Sequence, residues 1–208
     1  MKRKAETLFI ILGVVLLCGA LFLSLHNRSE DRQAERFTAD VVPVLIEEIL
    51  ADAQAPSQPE PAQEQPRLDL ETLTLEMSET RIDGYAYIGI LSIPKLSLEL
   101  PIMSDWSYKQ LQISPCRFHG TLNGGNLVLM AHNYASHFGR IDELQPGDTV
   151  CFTDMDGIST WYQVTVRDLL PPTAVEEMTS GGSDLTLFTC TYGGRSRVTV
   201  HCDETPAQ

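Results

Sequence analysis

The sequence is short of positive charge, of cysteine and of recognisable cofactor motifs. Its 208 residues hold 15 Lys and Arg against 28 Asp and Glu, a formal net charge of −13. That deficit argues against nucleic acid as a partner, because phosphate binding draws on clustered Lys and Arg. Five cysteines in a chain of this length do not make a disulfide-dense mini-domain, and the odd number leaves at least one thiol free or bonded outside the chain. No Cys-x-x-Cys, His-Glu-x-x-His, P-loop, dinucleotide fingerprint or Gly-x-Ser-x-Gly occurs, so the usual spacings for zinc, phosphate cradles and serine nucleophiles are missing. Neither a metal nor a cofactor is expected. Asp154-Met155-Asp156-Gly157 is only a fragment of a calcium loop and reads as an exposed turn. No internal repeat is present. The 43% hydrophobic content suffices for a core and excludes wholesale disorder.

The charge is unevenly placed. Residues 1–25 carry a net +2, residues 26–80 a net −9 and residues 81–208 a net −6. Thr7 to Leu25 is an uncharged run of 19 residues, close to the roughly 20 needed to cross a hydrocarbon core of about 30 Å. Lys2-Arg3-Lys4 precedes it, which puts residues 1–6 in the cytoplasm and everything after the run outside. A cleaved signal is the alternative. Its apolar region is usually shorter, and Ser24-Leu25-His26 is a poor small-x-small site. Residues 7–25 therefore read as a single-pass signal-anchor at the cell membrane. Residues 26–80 read as an acidic spacer. Val41 to Leu50 is its one apolar patch, a short helix at most. Ala51 to Pro66, rich in Pro, Ala and Gln, cannot bury enough apolar area to offset its ordering entropy and should be extended. Leu68 to Met77 is ambiguous between a lead-in strand and a helix.

From about Arg81 to Glu204 the texture is β. Tyr85–Ile93, Leu96–Ile102, Asn126–Ala131, Thr149–Thr153, Ser159–Leu169, Asp184–Cys190 and Arg197–Cys202 read as strands. Pro- and Gly-rich turns separate them. Short strands so spaced predict a mostly β domain, a largely antiparallel closed barrel or sandwich with a few short helices. Tyr108–Ile113 and the stretch after His132 are the helix candidates.

Cys18 lies in the apolar run, Cys151 and Cys202 inside strands and Cys116 in a loop. Cys190 differs, because it ends the apolar strand Leu-Thr-Leu-Phe and precedes the turn Thr191-Tyr192-Gly193-Gly194. Strand ends are where a rigid scaffold presents side chains to a cleft. A hairpin-like return through Arg197 can set a guanidinium beside the Cys190 thiol, favouring thiolate or a developing oxyanion. The plain alternative is a buried strand cysteine beside an exposed arginine. A thiol nucleophile also needs a proton acceptor and donor, most often His. Of His26, His119, His132, His137 and His201, His132 is the best placed, since it follows the buried strand ending at Ala131 as Cys190 ends its own.

These residues resemble the signature of sortases. Asp184 to Val200 is similar to the Thr-Leu-x-Thr-Cys…Arg element, with the match at Leu187, Thr189, Cys190 and Arg197. Asn126 to Asn133 is similar to the segment carrying the family histidine, with Ala131 where many members have Gly. The resemblance spans about Gly84 to Asp203. Compactness leans toward class D, whereas Thr-Cys-Thr-Tyr leans toward class B. The resemblance implies a sortase-like closed β-barrel and a cysteine transpeptidase of Gram-positive bacteria. Cys190 would be the nucleophile, His132 the proton shuttle and Arg197 the stabiliser of substrate or oxyanion, with Thr189, Thr191 and Ala131 substrate-binding. Partners would be secreted proteins with an LPxTG-like sorting signal and a peptidoglycan-precursor or pilin amine. A membrane-anchored thiol hydrolase and a non-catalytic β binding domain are the competing readings.

Overall fold

The structure, a computed structural model, describes residues 2–54, 76–180 and 182–205. Among the described residues nine strands follow one long helix: β1 (Thr80–Ile82), β2 (Tyr85–Ile93), β3 (Leu98–Met103), β4 (Cys116–His119), β5 (Leu127–Ala131), β6 (Thr149–Asp154), β7 (Ser159–Leu170), β8 (Leu185–Cys190) and β9 (Arg197–Glu204). Neighbours run in the order β1-β2-β3-β4-β5-β8-β9-β7-β6, and β2 also pairs with β6. That last pairing closes eight strands into a barrel and leaves β1 outside it on one edge of β2.

β2 serves three partners because its one edge is divided. Tyr85 to Tyr87 pair with β1, and Gly89 to Ser92 pair with β6. The division falls at a bulge between Tyr87 and Gly89. The bulge resets the alternation, so that Ile88, Leu91 and Ile93 face the barrel core while Tyr87 and Ile90 face outward. Only glycine fits at position 89. Its φ is +150°, and an added Cβ would sit 2.2 Å from the Thr153 carbonyl oxygen.

The expected strands appear, with shifts of a residue or two at their ends. Three expectations change. Cys116 and His119 lie in strand β4 rather than a loop, with Cys116 fully buried. The run is only four residues long and follows a proline, so its pattern is too short to read. Two pairings, β3–β4 and β5–β8, are parallel. The stretch after His132 forms turns and a 3₁₀ segment at Ile141–Glu143 rather than a helix. Two further short helices are present, α2 (Tyr108–Leu111) and α3 (Val175–Thr179). The Asp154–Gly157 motif is a turn, in which the Asp154 carboxylate accepts from the Asp156 and Ile158 amides.

The N-terminal helix, α1, is the largest departure from the sequence reading. It runs unbroken over Lys2–Gln54, with Pro43 inside it. Ala51–Gln54, the start of the stretch expected to be extended, is therefore helical, and Val41–Leu50 belongs to a long helix rather than a short one. The physical reason is a surface the sequence cannot display. Val41, Val42, Leu45 and Ile49 recur on one helical face and are buried with Tyr87, Ile90, Met103 and Met155 on the outside of the barrel, and Ala34 is buried too. Fully burying such a side chain contributes about 1.5–3 kcal/mol, enough together to hold a charged segment in helical form. By contrast, Phe9, Leu16, Leu17, Phe22 and Leu25 are exposed along the first half of α1. The expected extended stretch within 55–66 and most of Leu68–Met77 lie outside the described residues.

The bulge gives a direct test. Overpacking costs about 1–3 kcal/mol and a forced φ about 1–3 more. Gly89→Ala should therefore lower stability by several kcal/mol in denaturant unfolding. Gly84→Ala, also at positive φ but in open space, should lose less.

Candidate active site

Two registers meet at the end of β8. On one side β5 runs parallel to it, with Ala131 opposite Thr189. On the other side β9 runs antiparallel, with Arg197 opposite Cys190. The Thr189 hydroxyl donates to the Ala131 carbonyl over 2.8 Å and fastens the two parallel strand ends together. Thr189 and Ala131 are both buried, so their side chains join strands rather than line an open surface. One step beyond that pair, His132 and Cys190 leave their strands side by side. Both continue the outward-facing series, Val128 and Met130 on β5 and Phe188 on β8, that forms an apolar strip outside the barrel. Cys190 is thereby flanked by His132 across one edge and Arg197 across the other.

The turn joining β8 to β9 is tied at its base. The Thr191 amide donates to the Ser196 carbonyl (2.9 Å), and the Ser196 amide donates back to the Thr191 hydroxyl (3.1 Å). Gly193 and Gly194, at φ of +83° and +70°, let the chain reverse between them. The Arg197 guanidinium donates to the Gly194 and Ser196 carbonyls, 3.3 Å each. Arg197 is thus held within its own turn beside the thiol, and Thr191 is engaged in holding that turn.

His132 has company that the sequence reading did not include. The Tyr134 ring stacks on it, with centroids 4.9 Å apart and planes inclined by 28°. The Tyr134 hydroxyl donates to Glu30 of α1 (3.3 Å), and Ser136 donates through its amide and hydroxyl to Asp31 (3.0 and 2.6 Å). The Asn27 amide donates to the Tyr192 hydroxyl at 3.2 Å. Together α1, the His132 segment and the β8–β9 turn enclose a cavity of about 380 Å³. Burial lowers the His132 pKa and the Glu30 charge opposes it. Burial, then Glu30, pushes the Tyr134 phenol up to about 12. Tyr134 could have been suspected from its place two residues after His132. Nothing in the local sequence marks Asn27, Glu30 or Asp31, because their role depends on α1 docking.

The remaining candidates lie elsewhere. His26 pairs with Glu30 on α1, His119 is at the exposed end of β4, and His201 bonds Thr186 near the other end of β9. Cys116, Cys151 and Cys202 are buried free thiols. Burial pushes Cys116 and Cys202 up to about 12. Cys151 and Cys202 sit on strands separated by β7 and form no bridge. Among the described residues no three His, Cys, Asp or Glu side chains converge to hold a metal.

Residues 91–205 match the family model described as the sortase domain. The chain belongs to the sortase family. It is 27% identical over 120 residues to sortase A of Bacillus anthracis, a match that takes in 55% of this chain and only 57% of that protein. Among solved structures, sortase C1 of Streptococcus suis is 28% identical with a TM-score of 0.52, over 59% of this chain and 74% of that one. Sortase C of Streptococcus pneumoniae, at 22% identity, shares the fold over 86% of this chain and 90% of that one with a TM-score of 0.54. The sortase fold is an eight-stranded closed barrel, as here.

His137 supplies a pH test of the packing behind the site. It is wholly buried, and no side chain hydrogen-bonds to either ring nitrogen. Burial, then the nearby His132, lowers its pKa to about 4. The unfolded chain binds this proton below about pH 6.5 and the folded protein does not, so stability falls as pH falls. The loss should reach about 3 kcal/mol between pH 6.5 and 4. Unfolding of His137→Phe should show a much flatter profile over that window.

Proposed function

We propose that this sortase is a membrane-anchored cysteine transpeptidase with its barrel outside the cell. It would cleave an LPxTG-like sorting signal and pass the severed protein to an amine of a peptidoglycan precursor or pilin. The observation that carries the reading is Cys190 at the end of β8 with His132 across one edge and Arg197 across the other. The exposed apolar first half of α1 supports the anchor.

In this reading His132 takes the Cys190 thiol proton as the sulfur attacks the Thr carbonyl of the Thr–Gly bond. The carbonyl electron pair moves onto oxygen, and Arg197, released from the Gly194 and Ser196 carbonyls, stabilises that charge or the adjoining substrate backbone. The C–N bond then breaks as His132 gives a proton to the departing Gly nitrogen, leaving a thioester on Cys190. An incoming amine attacks the thioester, loses its proton to His132, and expels the Cys190 sulfur as a new amide forms. No ATP is required, because the thioester conserves the acyl activation of the cleaved bond. Val128, Phe188 and Met178 of α3 pack on one another behind Cys190 and give the strand end that carries it a buried apolar backing. Thr189 and Ala131 shape the site by fixing the β5–β8 spacing, and Thr191 by holding the turn.

Full-length protein in detergent, given a sorting peptide and an amine acceptor and followed by mass spectrometry, tests this. Transfer product should form with the wild type and vanish with Cys190→Ala. His132→Ala should be slower by about 10²–10⁴-fold, the usual worth of general acid–base help. Arg197→Ala should lose about 10²–10³-fold, as for one oxyanion donor. Hydrolysed peptide alone at saturating acceptor would indicate a hydrolase. A Cys190 thiol no more reactive than Cys151 would indicate a binding domain.

A further inference from the structure

The contacts between α1 and the barrel fix how far the cleft stands from the bilayer. The uncharged run ends at Leu25, and α1 continues beyond it as helix. Asn27 already reaches Tyr192 in the turn after Cys190, Glu30 reaches Tyr134, and Asp31 reaches Ser136. At 1.5 Å per residue these three lie at most about 3, 8 and 9 Å beyond Leu25 along the helix. Tilting α1 can only reduce those heights. The headgroup layer on one side of a bilayer is itself about 5–8 Å thick. At its other end α1 carries Ile49, packed with Met155 and 3.3 Å from where a Cβ on Gly157 would sit, up to about 36 Å beyond Leu25. The helix therefore spans the barrel from the Cys190 end to the Asp154–Ile158 turn.

We propose that the barrel stands on its catalytic end, with the Tyr192–Arg195 turn resting on the membrane surface and the Cys190 cleft opening among the lipid headgroups. This rests on reading residues 7–25 as an anchor and Cys190 as the nucleophile. The turn has the chemistry of an interface. Tyr192 is 87% exposed, an amphipathic ring of the kind enriched at headgroup depth, and Arg195 beside it is exposed. Arg28, about 4–5 Å beyond Leu25 along α1, borders a groove with Leu25 at the depth of the lipid phosphates. The consequence is a restriction on substrates. A peptide or amine tethered in the same bilayer meets Cys190 at high effective concentration, whereas one free in solution must reach it around the rim.

The test uses the full chain in vesicles of phosphatidylcholine and phosphatidylglycerol containing a lipid with a nitroxide on its headgroup. Cys18→Ser and Cys190→Ala leave only the three buried thiols, so a fluorophore can be attached at Tyr192→Cys, at Arg195→Cys, or at Ile158→Cys on the far turn. Labels at 192 and 195 should lose most of their emission, and the label at 158 should keep it. Equal loss at both ends, or none at 192 and 195, overturns the proposal. Two controls separate it from the readings beneath it. If an alkaline wash strips the protein from the vesicles, the anchor is wrong and the proposal falls with it. If the wild type transfers no acyl group in these vesicles while the 192 and 195 labels are quenched, the surface stands and the enzymatic reading fails.

Discussion

The parallel pairing of β5 with β8 is the constraint on which the site depends. Parallel neighbours end at the same rim of the barrel, so the residues that follow them are delivered together. The single hydrogen bond from Thr189 to the Ala131 carbonyl sets the stagger at that rim, and the hairpin to β9 then sets Arg197 against Cys190. A one-residue slip of β8 would turn Cys190 inward and face Thr189 to the outside, because side chains alternate with period two. The buried Leu185 and Leu187 oppose that slip, since both would have to leave the core they share with Leu127 and Leu129 of β5. The same leucines that make the barrel stable thus hold the candidate-site side chains in phase.

Closure comes from the opposite side of the barrel. β2 joins β6 only because a glycine at position 89 lets two backbones approach more closely than any side chain permits. The bulge there also turns Tyr87 and Ile90 outward, creating the apolar seat on which α1 lies. α1 in turn brings Glu30 and Asp31 to the His132 segment. One local irregularity therefore connects barrel closure, helix docking and the polar wall of the cleft.

The strands were legible where apolar alternation ran for five residues or more, as in Tyr85–Ile93 and Leu185–Cys190, because period two is a local property. β4 was not, since its four residues after a proline are fewer than the pattern needs. The Cys190 and His132 pairing could be anticipated from two strand ends followed by polar residues, and Arg197 from a glycine turn of matching length. Tyr134, Glu30 and the helical state of residues 26–54 could not. Their placement is a matter of tertiary docking: five apolar residues spread over sixteen positions, diluted by charge and interrupted by Pro43, look like a spacer until the outer face of the barrel is there to receive them.

The unbroken course of α1 has one more meaning. α1 is fixed to the barrel from Asn27 to Ile49 and is continuous with the apolar run, so the run and the barrel share a single helical phase. Each residue added between Leu25 and Asn27 would rotate the whole barrel by about 100° about the helix axis while raising it only about 1.5 Å. Residue count thus sets which face of the apolar run lies in line with the barrel, far more sharply than it sets the height.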